Sequence, residues 1–131
     1  MSTKPHRRQR SVLHRILVAI GVTTVATGAT QVAVPGTVLS LIGGRNDRTT
    51  RHLFATVGMF MVVIGGLFVH ALRAHRPSRE VVTWAAVQKA GAAAAVGIGV
   101  ARGVFTPIAL LVAAFDGLTA VLMAVYRSRE T

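Results

Sequence analysis

Four long apolar runs constrain what this chain can become more than anything else in it. They cover residues 16–34, 53–72, 81–101 and 107–126, and the first two contain no Asp, Glu, Lys or Arg. About 20 apolar residues at 1.5 Å each cross a hydrocarbon core of ~30 Å. With no water in that core to satisfy backbone N–H and C=O groups, each run must close its hydrogen bonds internally as a helix. The expected fold is therefore all-α, a four-helix transmembrane bundle.

The runs divide the 131 residues into one membrane domain, 12–127, with a basic cytoplasmic tail expected to be disordered at 1–11 and a short tail at 128–131. A basic start before an apolar run also describes a cleaved signal peptide. The first run is longer than a typical h-region, and Gln31 stands where a small residue is needed before a cut at Ala33, so an uncleaved first span is expected. Residues 35–50 mix Val38, Leu39, Leu41 and Ile42 with a Gly-, Arg- and Asn-containing stretch, which predicts a short interfacial helix and then a loop. The Pro77-containing connection and the 102–106 connection are short, so successive spans should be antiparallel neighbours.

Charge distribution gives an orientation. The net charge is +11, and of the 15 Lys and Arg residues only Lys89 lies deep in an apolar run. With the N-terminus inside, ten basic residues fall on the cytoplasmic side and four (Arg45, Arg48, Arg51 and Arg102) on the other. The positive-inside rule then predicts both termini in the cytoplasm. The same rule accounts for the basicity without nucleic acid, for which the chain has no recognition motif and only five Phe, one Tyr and one Trp to stack on bases. The absence of cysteine excludes disulfides, thiolate chemistry and Cys-ligated clusters. No catalytic triad, carboxylate pair, phosphate-binding loop or metal-ligand spacing occurs, so neither an enzyme nor a cofactor or metal site is expected. His70, near the end of the second run, is expected at the headgroups.

Lys89 and Asp116 are the candidate site. Each costs ~2.5–3.5 kcal/mol near a bilayer centre on insertion scales, so such groups turn inward and pair. Counting along antiparallel helices puts them about 12 and about 15 Å from the cytoplasmic ends, nearly level. Ala109, Ala113, Ala120 and Ala124 share the helix face of Asp116, and Ala85, Ala86, Ala92 and Ala93 flank Lys89, as helix-contact faces require. The pair reads either as an interhelical tie or as a proton or ion site. Thr24, Gly28 and Gln31 on one face of the first helix, with Gln88 beside Lys89, would extend a polar track in the second reading. Arg45, Arg48, Arg51 and Arg102 are candidate contacts for anionic lipid headgroups, with plain solvated charge as the alternative. Gly99 and Gly103, continued by Gly91 and Ala95, have small-xxx-small spacing, which suits dimerisation or packing within the chain.

The order of these elements, with Val34-Pro-Gly-Thr-Val-Leu-Ser-Leu-Ile-Gly-Gly44 after the first span, Arg51-His-Leu-Phe-Ala-Thr-Val-Gly58 opening the second and Asp116 in the fourth, resembles small DoxX-like bacterial membrane proteins over residues 12–126. That resemblance implies a four-helix membrane fold and, as context, quinone-linked redox or oxidative-stress complexes. The missing cysteines speak against thiol redox in this chain.

Two functions follow as expectations. The first is an accessory or interaction subunit of a membrane complex, contacting lipid and a protein partner or further copies of itself. The second is a small proton-coupled carrier or channel in which Asp116 cycles a proton against Lys89.

Overall fold

The computed structural model describes residues 4–129, with side chains described from Ser11 onward. The described residues are almost entirely helical: α1 (Lys4–Ala33), α2 (Pro35–Leu41), α3 (Arg48–Arg73), α4 (Arg79–Ala101), a 3₁₀ turn (Pro107–Ala109) and α5 (Leu110–Arg129). Four stretches, Ser11–Ala33, Arg48–Arg73, Arg79–Ala101 and Pro107–Arg129, are long and apolar enough to cross a membrane, which marks a multi-pass membrane protein.

The helix ends differ from expectation at the tails. α1 begins at Lys4, so residues 4–11 continue the first helix where a disordered tail was expected. Arg and Gln are good helix formers, and Pro5 sits in the first turn, where its missing N–H costs nothing. α5 likewise runs through Ser128 and Arg129. Residues 1–3, 130 and 131 of the expected tails lie outside the described residues.

Local chemistry sets the other boundaries. Asp47 caps α3 by accepting the Thr50 N–H at 2.9 Å, and Ser78 caps α4 by accepting the Val81 N–H at 3.4 Å. α2 and α4 end alike, on a glycine with positive φ: Gly43 at 69° and Gly103 at 72°. In both, the next residue's N–H returns to the carbonyl five back, Gly44 to Leu39 and Val104 to Gly99, each at 2.8 Å. Thr106 then ties the two loops together, donating its N–H and its hydroxyl to the Ile42 carbonyl, both at 3.0 Å.

The long helices form a ring in which α1 lies along α3 and α4 along α5, with narrower α3–α4 and α5–α1 contacts closing it. Glycine sets the α1–α3 approach. A Cβ at Gly28 would stand 2.6 Å from the Gly58 carbonyl oxygen, and one at Gly21 would stand 2.6 Å from the Val69 side chain and 3.8 Å from the Gly65 carbonyl oxygen. The pairs Gly28/Gly58 and Gly21/Gly65 are seven residues apart on both helices, the spacing of a close antiparallel seam.

Packing is uneven along the axis. Leu13, Leu17, Phe68, Leu72, Val82, Ala85, Met123 and Tyr126 form one buried cluster at the end where α1 starts and α5 finishes. His14 reinforces it, its Nε2–H donating to the Leu72 carbonyl at 2.7 Å and its ring lying 6.4 Å from that of Tyr126. One of the unpaired carbonyls ending α3 is thereby satisfied from α1. On α5 the buried face runs through Asp116, Thr119, Met123 and Tyr126, so Ala124, expected on that face, is exposed. The opposite half of the bundle is looser, and there the helices part around a cavity.

Candidate functional site

α4 and α5 bring Lys89 and Asp116 together between the packed half and the open half. Lys89 Nζ donates to Asp116 Oδ1 at 2.8 Å. The two residues are only 4% and 7% exposed. Small neighbours make this approach feasible: a Cβ on Gly117 would lie at ordinary contact distance, 3.8 Å, from that of Ala93. The Lys89 ammonium also lies 5.5 Å from the centre of the Phe115 ring, an additional attraction for a cation. The result is a compact, internally neutralised pair. Its attraction is offset by the desolvation of both groups, so it specifies which helices meet more than it adds to stability.

The pair borders a cavity of about 460 Å³ between the α1–α3 and α4–α5 halves. Val38 and Ile42 of the α2 segment and Phe105 of the last loop line it towards the far end, and Phe54, Val57, Met61 and Val96 contribute apolar walls. Phe105 is placed there because Gly99 leaves room for its ring: a Cβ at Gly99 would lie 2.7 Å from it. Its volume is in the range of small-molecule sites.

Thr24, Gln31 and Gln88 all line this cavity with Lys89 and Asp116, so the residues of the expected polar track share one space. They are not equally available. Thr24 turns its hydroxyl back to the Ile20 carbonyl at 3.0 Å, the habit of buried helical threonines. Gln31 is different, because its Oε1 is buried without a hydrogen-bond partner. Gly58 positions it, since any Cβ at 58 would fall 2.7 Å from the Gln31 Cβ.

The basic residues proposed for headgroup contact lie at the loop end opposite the packed cluster. Arg45 pairs with Asp47, Nε to Oδ2 at 2.7 Å, and its side chain is largely exposed. Arg48 and Arg51 are exposed in the first turns of α3, and Arg102 is exposed at the C-cap of α4. The Thr50 N–H and hydroxyl, and then the Arg45 guanidinium, hold the Asp47 carboxyl below its ordinary range. His70 is exposed in the last turn of α3. Among the described residues no group of three His, Asp or Glu could hold a metal ion.

The Gly99/Gly103 spacing has a local explanation. Gly99 accommodates Phe105 and Gly103 supplies the left-handed turn after α4, so the two glycines build a loop; Gly91, the next in that series, faces open space. Sequence reasoning did not find the glycine seam of α1 and α3, although its seven-residue spacing is present in both helices. It also passed over His14, whose partner is 58 residues away.

Comparisons with protein-family models, curated proteins and solved structures find no match for this chain.

Proposed function

We propose that this protein is an accessory subunit of a bacterial plasma-membrane complex, with both termini in the cytoplasm, whose partners supply any chemistry. The observation that carries this reading is the outward face of α4. A Cβ at Gly91 or Gly97 would meet no atom within 4 Å, and Ala90, Ala94 and Ala95 are exposed beside them, on an arc shared with the larger exposed Trp84, Val87 and Ile98. Small residues buy close backbone approach between helices and offer lipid little contact, so on an open surface they suit a neighbouring helix. Each span also buries less than a third of its most apolar window within the chain, leaving broad apolar faces for lipid and partner. The resemblance to DoxX-like proteins is compatible with such a subunit.

The test is native electrophoresis and mass spectrometry of the protein extracted from its own membrane in mild detergent. A defined complex or oligomer, lost in Gly91→Leu with the helical fold retained, is the expected result. A wild-type chain that runs as a lone monomer refutes the proposal.

A second reading, a proton-coupled carrier, is favoured by one feature: Lys89 and Asp116 both face the cavity. In that reading Asp116 takes up and releases a proton while Lys89 serves as its switchable counter-charge. Reconstituted flux decides it. Transport abolished by Asp116→Asn would support a carrier, whereas a folded Lys89→Met/Asp116→Leu variant that transports like wild type would sink it.

A further inference from the structure

Among the polar groups that line the cavity, one is buried and unmet. Gln31 lines it, is 9% exposed, and carries an Oε1 with no partner. Leaving such an atom unmade costs about 1–3 kcal/mol, so a buried amide of this kind calls for something to bind. Gln31 packs against Gly58, ten residues into α3, and stands about 10 Å along α1 from Thr24, which lines the same cavity. The cavity thus offers the buried Gln31 amide, an apolar wall formed by Phe54, Met61 and Val96, further polar groups on Thr27 and Gln88, and the closed ion pair.

Each part restricts the occupant. An acyl chain of an ordinary lipid covers the apolar wall but offers nothing to Gln31. Water can satisfy Gln31 together with Thr27 one turn away, but it leaves the apolar walls beside them without close contacts. A carboxylic acid would bring a third charge to a pair that already neutralises itself. A hydroxyl both donates and accepts, so it serves either orientation of the Gln31 amide, and the soft terminal torsion of that side chain lets the amide turn to meet it. We propose that this cavity is a binding site for a neutral aliphatic alcohol, with its hydroxyl hydrogen-bonded to Gln31 and its chain running along the apolar wall between the two helix pairs. The inference stands apart from the function proposed above, because it needs neither a partner helix nor a mobile proton.

The experiment uses the full chain in phosphatidylcholine nanodiscs and three twelve-carbon probes with a mid-chain diazirine: an alcohol, a carboxylic acid and the plain alkane. After photolysis, labelled residues are mapped by mass spectrometry. The alcohol should label the lining residues Phe54, Met61 and Val96 in preference to the outward Val63, Leu67 and Leu118, and decan-1-ol should compete where decane does not. Gln31→Leu should lower cavity labelling by the alcohol about tenfold, the upper end of what one hydrogen bond supplies. Its thermal stability without probe should equal or exceed that of wild type, because the orphaned oxygen is gone. Should Gln31→Leu misfold, Ala92→Phe, which fills the lumen from α4, should block labelling instead. Labelling spread over the outward residues, equal labelling by the alkane, preference for the acid, or indifference to both substitutions would overturn the proposal.

Discussion

Lys89 and Asp116 are mutually dependent in a way that single substitutions expose. Removing one partner leaves the other buried and charged, whereas removing both takes the desolvation cost away with the attraction. Lys89→Met or Asp116→Leu alone should each destabilise the bundle by about 3–5 kcal/mol, and the double variant should recover most of that loss. Unfolding by steric trapping in bicelles measures all four corners of the cycle. The existence of this pair was legible in the sequence because two charges inside apolar runs have few alternatives to each other, and counting residues put them at one depth. The orphaned oxygen of Gln31 was not legible. Whether a buried amide finds a partner depends on the tertiary space around it, which neither the residue nor its helix face reveals.

At the scale of elements, α1 and α3 are joined by absence of side chain. Gly28→Val or Gly58→Val would drive a branched side chain into the facing backbone, and a loss of about 3 kcal/mol or more is expected, the upper range for overpacking. Gly66→Val, on a face open within 4 Å, should change stability by no more than a few tenths of a kcal/mol. Thermal melts of the three variants in one detergent make the comparison. The start of α3 adds a pH dependence. Because hydrogen bonds from Thr50 lower the Asp47 pKa in the folded chain, the cap's contribution is fully present above the ordinary carboxylate value of about 4 and fades as pH falls through the lowered one. Asp47→Asn, which keeps a capping oxygen without the charge, should flatten that acid limb in melts between pH 2 and 5. The four long helices could be placed from sequence because length and apolarity suffice to mark them. The glycine seam could not, since in a chain with 13 glycines spacing alone does not say which helix each one meets.

For the whole molecule, the uneven packing along the axis is the feature that sequence periodicity left out. Leu17, Phe68, Leu72, Met123 and Tyr126 draw the helices together at one end, and at the other the Gly43–Thr106 contact, Phe105 and α2 bridge a gap between two helix pairs. A cavity is a property of four helices at once, so no single run of residues encodes it. The same bundle, read with its flanking charges, has a direction: Arg15, Arg73, Arg76, Arg79, Arg127 and Arg129 flank the packed end, and Arg45, Arg48, Arg51 and Arg102 the cavity end. Since the chain has no cysteine, single introduced thiols report that direction without background. The central claim, four crossings with both termini in the cytoplasm, is tested most directly by a membrane-impermeant maleimide applied to intact bacterial cells expressing Asn46→Cys, His75→Cys, Gly103→Cys or Ser128→Cys. Labelling at 46 and 103, with 75 and 128 reactive only after lysis, is the predicted result; labelling of 75 or 128 on intact cells, or protection of 46 and 103, would contradict it.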